Sequence, residues 1–404
     1  MTRRAAALGP GLALVAFWVA SLSVGFAAFV ALAFLSRRDD TGALADASAV
    51  LSVSFVLAVV PGAIQLRAAA AAAVDAAADS KSPEDAAGVP VALVAWISGG
   101  LLVASPAIAV ALTVPWLGIA LLIAQLPVAC LAAVQRGTAI GREEYGRASA
   151  SMGIDAAFRL IAGAGLGLAF GAAGLAAALL LGTVAAAELG RRWYARGLAA
   201  PASSVVGPAL TVGILMVLIN LDVLAAPRVL GAAAADAYAV AELPAKGVFF
   251  ALFAVSWLAV PIAARARRAS QLLVPIGAVL GIGLVATAVL AVARPLLPMI
   301  LGDAAAPPLE LLVLLALAMT VAAALATALA MAVARDAAHP WAPSLFATMM
   351  LGIVIVVLEP NATDLAGLVL LAQAVALGGT AFGLLRTIGA RALPAAGRPL
   401  AATP

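Results

Sequence analysis

The stretch Arg228-Val-Leu-Gly231-Ala-Ala-Ala-Ala-Asp236-Ala-Tyr238-Ala-Val240 decides the fold, because an earlier part of the chain carries the same order of residues. Arg38, Asp46 and Val50 recur 190 residues later as Arg228, Asp236 and Val240, with a glycine after each arginine at Gly42 and Gly231. Further along, Val60, Pro61 and Arg67 recur 200 residues later as Val260, Pro261 and Arg267. Alanine matches carry little weight in so alanine-rich a chain, so the repeat rests on arginine, aspartate, proline and their shared order. A repeat of half the chain length, with about ten extra residues in its second copy, predicts a duplicated architecture.

Composition says what is duplicated. The chain has 404 residues, 65% hydrophobic and 10% charged. A soluble domain carries about 25% charged residues, so most of this surface faces lipid. Apolar runs long enough to cross about 30 Å of hydrocarbon lie at 11–35, 47–66, 89–114, 117–134, 148–170 and 172–187. After the charged break at Arg191 and Arg192 they resume at 203–226, 237–263, 270–292, 309–333, 340–358 and 365–385. The expectation is an all-α polytopic membrane protein of twelve spans. Residues 1–200 form an N-lobe, 201–390 a C-lobe, and 391–404 a Pro- and Ala-rich disordered tail.

Charge fixes the expected orientation. With a cytoplasmic N-terminus, seventeen lysines and arginines fall on the cytoplasmic side, Arg136, Arg142 and Arg335 among them, and four on the other. That asymmetry follows the positive-inside rule and places both termini in the cytoplasm of a bacterial cell whose inner membrane the chain spans. Six spans per half is an even number, so the copies run parallel and are related by a pseudo-two-fold axis along the membrane normal. Two such bundles enclose a central cleft.

A charge at a helix centre costs roughly 2.5–3.5 kcal/mol, so intramembrane ionisable residues are candidates for function. Asp155 and Arg159 share one face of the fifth span at i,i+4, and Glu242 and Lys246 share one face of the eighth. Asp222 lies near the outer end of the seventh span, beside Asn220. The plain reading of each i,i+4 pair is self-neutralisation. The functional reading has Arg159 and Lys246 facing the cleft, one from each lobe, as a clamp on an anionic head group. Asp222 balances Lys246 or takes part in ion coupling. The ten-residue insertion of the second copy, 241–250, contains Glu242 and Lys246. Neither Cys130 nor His339, single residues of their types, belongs to a metal or catalytic cluster. No phosphate-binding glycine motif or large outer loop accompanies them, so neither enzyme activity nor a cofactor is expected.

Three stretches resemble the polysaccharide flippases of the multidrug/oligosaccharidyl-lipid/polysaccharide transporter superfamily. They are Leu35 to Arg38 followed by Gly42; Arg136, Gly137, Gly141 and Tyr145 with Arg159 after them; and Asp222, Arg228, Gly231 and Tyr238. The resemblance implies two six-helix lobes and alternating access. It also implies a cationic cavity for a polyprenyl-linked, anionic glycan, with Arg159 as the leading contact and Lys246 and Asp222 behind it. Membrane lipids and glycan polymerase or assembly proteins would be its partners. The main rival within the superfamily is a drug/cation antiporter, and a lipid II flippase is a further one. Few cavity charges and few aromatics set this chain apart from the flippase pattern.

Overall fold

A computed structural model describes residues 10–35, 50–51, 53–77, 90–112, 115–193, 203–230, 232–298, 307–358 and 360–392. Among these residues, apart from one short 3-10 turn at Arg294–Leu296, the elements are α-helices. The helices are α1 (Pro10–Leu35), α2 (Val59–Ala77), α3 (Val91–Leu112), α4 (Trp116–Gly141), α5 (Tyr145–Arg191) and α6 (Ser203–Leu218). They continue as α7 (Leu221–Val229), α8 (Ala232–Arg265), α9 (Ala269–Ala293), α10 (Leu309–Ala334), α11 (Ala342–Leu358) and α12 (Ala362–Ala392). Helix is what apolar composition dictates in lipid, where no water satisfies an exposed N–H or C=O.

Among the described residues, eight helices are long and apolar enough to cross a membrane, and three shorter apolar helices accompany them. One of the eight is two spans. The 47 residues of α5 would run about 70 Å as a straight helix, more than twice the hydrocarbon thickness. The helix breaks at Gly171, where φ is 61° and ψ is −137°. Only glycine adopts that conformation readily. Three residues on, Gly174 lies against the Leu166 carbonyl with no room for a Cβ, which closes the turn. Among the described residues that makes nine long apolar segments with three shorter apolar helices beside them, and the Gly171 break falls between the fifth and sixth apolar runs of the sequence. The seventh is itself interrupted, since α6 stops and α7 starts around Asn220.

Exposure is inverted relative to a soluble protein. Trp96, Val103, Val292 and Val356 are among the most exposed side chains, and they lie on α3, α9 and α11. The interior is built from small residues. Gly137 and Gly141 on α4 sit one turn apart and press on the Gln65 and Ala69 carbonyls of α2, so closely that neither could carry a Cβ. Backbone approach of this kind drives helix association where lipid is as apolar as the protein. The alanines from Ala68 to Ala73 are buried as the other half of that contact.

The first-half helices pack among themselves, α1 and α4 on α5 and α2 on α4. So do those of the second half, with α10 against α8, α9 and α12. The halves meet chiefly through α1 and α2 on one side and α6 and α8 on the other. Phe55 stacks on Phe250 with ring centroids 5.9 Å apart, and the Trp18 indole N–H donates to the Ala251 carbonyl at 2.8 Å. Each half also ends one helix in the same way. After α4 the amides of Glu143 and Glu144 bond back to Ile140 and Ala139. After α10 the amides of Asp336 and Ala337 bond back to Val333 and Ala332. In both, an arginine (Arg142, Arg335) caps the helix and an acidic residue (Glu143, Asp336) takes positive φ, which is the Schellman ending. Arg38, Gly42 and Asp46 of the first copy of the repeat lie outside the described residues.

Candidate functional site: two intramembrane polar clusters

The first cluster belongs to the first half. Asp155, one helical turn before Arg159 on α5, is 1% exposed, and Gly182 on the returning half of α5 leaves room for its carboxylate. Arg159 grips it with two bonds, Nε to Oδ1 at 2.7 Å and Nη2 to Oδ2 at 3.2 Å. A second arginine reaches the same carboxylate from α4. Arg136 Nη2 donates to Asp155 Oδ2 at 2.8 Å, and its Nε donates to Ser151 Oγ at 3.0 Å. The sequence places Arg136 among the cytoplasmic charges, yet its side chain is 12% exposed. It is an interior residue because α4 runs seven residues past the apolar run that ends at Val134.

One carboxylate between two guanidiniums leaves the triad with a net positive charge. Its geometry is that of a brace between α4 and α5, since each bond to Asp155 comes from a planar donor in a fixed fork. Arg159 is thus already engaged by a carboxylate.

The second cluster belongs to the second half and gathers around the α6–α7 break. Asn220 sits at φ −125°, ψ −3° between the two helices, and its amide donates to the Met216 carbonyl at 2.6 Å. Its other amide atom, Oδ1, accepts from Lys246 Nζ on α8 at 2.8 Å. Lys246 also meets Glu242 Oε1 at 2.6 Å, one turn earlier on the same helix. Asp222, fully buried in the first turn of α7, accepts from the Tyr238 hydroxyl at 2.6 Å. Tyr238 on α8 thus ties to Asp222 on α7, and Asn220 joins the α6–α7 break to Lys246. Pro244 falls between Glu242 and Lys246 and has no N–H for the Val240 carbonyl, so the helix is weakened where its charges sit.

Sequence spacing finds the two i,i+4 pairs, and it names Asp222 and Asn220. It misses Ser151, and it quotes Arg136 and Tyr238 only as a cytoplasmic charge or as part of a resemblance. The i,i+4 rule could not have found these contacts, because each bridges two helices. The described hydrogen bonds of Arg159 and Lys246 stay within their own halves. Among the described residues no group of three or more His, Cys, Asp or Glu side chains could hold a metal ion.

No protein-family model matches this chain, and no curated protein matches it in sequence. Solved structures do match in shape. An outward-facing multidrug resistance MATE family transporter of the MOP superfamily superposes with a TM-score of 0.72 at 14% identity, over 94% of this chain and 96% of that one. A MATE structure in the bent conformation gives 0.74 at 15% identity, over 95% and 96%. A MOP superfamily transporter from Pyrococcus furiosus, described as having a binding pocket of reverse polarity that suggests a different function, gives 0.72 at 15% identity, over 95% and 97%. Identity this low carries the fold alone. The chain is a multi-pass membrane protein with the fold of the MATE transporters of the MOP superfamily.

Proposed function

We propose that the chain is an alternating-access exporter of the multidrug/cation antiporter kind, with the second-half cluster as its ion-coupling centre. The observation that carries this reading is the placement of two buried carboxylates, Asp222 and Glu242, in one polar cluster at a break between apolar helices. Ionisable residues kept among membrane helices mark ion and proton pathways. The contacts that hold these two can be exchanged. A proton or small cation arriving at Glu242 competes with Lys246, and one arriving at Asp222 competes with the Tyr238 hydroxyl. Either event loosens α8 from the α6–α7 break, at a joint already weakened by Pro244. Because α6 and α8 also form the contact with the first half, charge exchange there can bias the lobes toward one side or the other.

The flippase reading remains the second, favoured by the presence of one cation in each half, Arg159 and Lys246. A pyrophosphate would have to displace Asp155 from Arg159 and Glu242 from Lys246, which makes the pair a costlier clamp than free cations would be. In this reading the lipid-linked glycan is the substrate, and the membrane is the bacterial inner one with both termini cytoplasmic.

One experiment separates the two. The chain is reconstituted in liposomes, and an imposed proton or sodium gradient is tested for uptake of a lipophilic fluorescent cation. Gradient-driven uptake that is lost in Asp222→Asn and Glu242→Gln supports the antiporter. No uptake, together with translocation of a polyprenyl-pyrophosphate glycan that is lost in Arg159→Gln, replaces it with the flippase.

A further inference from the structure

The α6–α7 break has the build of a cation site, and a side chain of the chain itself occupies it. Where a membrane helix is interrupted, the carbonyls and the negative dipole end of its first half are what hold a bare cation. Here those carbonyls are engaged. The Leu215 carbonyl accepts the Ile219 amide at 3.0 Å, and the Val217 carbonyl accepts the Asn220 amide at 3.1 Å. The Met216 carbonyl accepts the Asn220 side-chain amide at 2.6 Å. The side-chain oxygen of the break, Asn220 Oδ1, accepts from Lys246 Nζ at 2.8 Å. From this arrangement we infer that the Lys246 ammonium is a tethered cation standing where a sodium ion would otherwise sit, so that the ion exchanged at this cluster is a proton and not a metal ion. The inference rests on the second-half cluster being the coupling centre, and it narrows that reading to one ion.

Ligands and charge both point this way. Lysine ends in a compact point charge on a flexible stem, and this one lies between two oxygens, Asn220 Oδ1 and Glu242 Oε1. A hard cation is held by oxygen ligands, about six of them in common sites. A sodium ion at the break would have to take both oxygens from the lysine, beside carbonyls that already accept hydrogen bonds. With Asp222 and Glu242 ionised against Lys246, the cluster carries one negative charge. One proton moving from water onto either carboxylate brings that to zero, and the ammonium stays on Asn220. When the proton leaves again, the carboxylate regains its lysine or tyrosine partner. Sodium would bring the same charge, but as a second full cation beside the ammonium, where little solvent screens the two.

The surrounding helices leave this balance undisturbed. Of those packed against α8, α1 and α9 carry no ionisable side chain, and α10 carries only Glu310, exposed in its first turn. The short α7 brings Asp222, already in the cluster, and Arg228. Arg136 of α4 is held by Asp155, and α12 has ionisable residues only toward its two ends. Arg67 and Asp75 of α2 belong to the far end of α8. Gly141 presses on Ala69 of that helix, and Glu143 beside it pairs with Arg265, nineteen residues after Lys246.

The test measures retention of radioactive sodium by the purified full chain in detergent, at one fixed pH. Wild type is expected to retain no more sodium than Glu242→Gln does. Lys246→Gln and Lys246→Ala, which vacate the place of the ammonium, are expected to gain sodium binding several-fold above that background. Adding Glu242→Gln to either should remove the gain. In liposomes, a proton gradient should drive uptake of the lipophilic cation by wild type, and a sodium gradient alone should not. Sodium held by wild type and lost in Glu242→Gln overturns the inference, and that comparison needs no lysine variant to fold. Folded lysine variants that still bind no sodium overturn it as well, because the break is then no cation site. So does sodium-driven uptake by wild type. Absence of uptake under either gradient overturns the antiporter reading instead, and sodium retention still decides what Lys246 stands in for. Far-ultraviolet circular dichroism and monodispersity identify any variant that has failed to fold, and sodium binding is compared among the others.

Discussion

Arg265, the last residue of α8, forms an ion pair with Glu143, the left-handed residue between α4 and α5, and so ties the second half of the molecule to the first. Both side chains are more than two-fifths exposed, at one end of the bundle. A pair so wet contributes little, about 0.2–1 kcal/mol. If the lobes exchange between two arrangements, that is still enough to change their ratio by up to about five-fold.

Charge reversal tests this tie. Arg265→Glu places two carboxylates together and is expected to open the 143/265 end, while Glu143→Arg with Arg265→Glu restores it. A cysteine reporter at the open end, measured by its alkylation rate, should speed up several-fold in the single variant and return in the double. High salt should shrink the difference, because exposed charges are screened. A single variant with unchanged alkylation at low salt would show that this pair holds nothing.

The first cluster predicts an order of severity. Removing Asp155 leaves Arg136 and Arg159 facing each other in a buried site without their common anion, which costs about 3–5 kcal/mol in comparable cases. Arg159→Gln leaves Asp155 still bound by Arg136, which Ser151 holds in place, so its cost should be clearly smaller. Thermal unfolding of the detergent-solubilised protein should therefore rank wild type above Arg159→Gln above Asp155→Ala. An inverted order would mean that Arg159, and not the carboxylate, organises the triad. The Arg136→Gln variant should resemble Arg159→Gln in stability while also loosening α4 from α5.

Glycines give a prediction with opposite signs at three positions. At Gly137 a Cβ would meet the Gln65 carbonyl and the Ala68 methyl of α2, so Gly137→Ala is expected to cost about 1–3 kcal/mol through overpacking. At Gly171 there is open space, but φ of 61° with ψ of −137° strains any side chain by about 1–3 kcal/mol. At Gly165, exposed and helical with nothing near its α-carbon, alanine should stabilise by up to about 1 kcal/mol. Melting midpoints of the three alanine variants decide each sign separately.

All twelve apolar runs appear as helix in the described residues because run length and the lack of alternatives to helix in lipid are local properties. The i,i+4 pairs are equally local. Arg136 and Arg335 are not. Both sit at span ends, where positive charge reads as a topology signal, yet Arg136 turns inward to Asp155. Arg335, 3% exposed, donates to the Ala263 and Ala266 carbonyls at the end of α8 and to Thr387 on α12. What each guanidinium satisfies lies on another helix, and no spacing rule encodes that. Gly137 and Gly141, met first as part of a family-like motif, turn out to have a packing reason in the close approach of α2.

The contact between Asp222 and Tyr238 carries the most direct prediction for transport. The two are 16 residues apart and on different helices, joined by a 2.6 Å hydrogen bond in a fully buried site. Tyr238→Phe removes the donor and keeps the ring, so packing against the core is preserved. Intramembrane hydrogen bonds contribute about 0.6–2 kcal/mol, and the melting point should fall by that modest amount. If Asp222 exchanges a proton or cation during transport, losing the tyrosine alters how tightly the carboxylate is held without removing it. Tyr238→Phe should then retain gradient-driven transport with a shifted pH or sodium dependence, while Asp222→Asn abolishes coupling altogether. Should both variants transport with the wild-type ion dependence, the carboxylate is structural and the coupling centre must be sought at Glu242 and Lys246. The split between altered ion dependence and simple loss of stability is what separates a working site from a brace. Both readouts come from the same reconstituted samples.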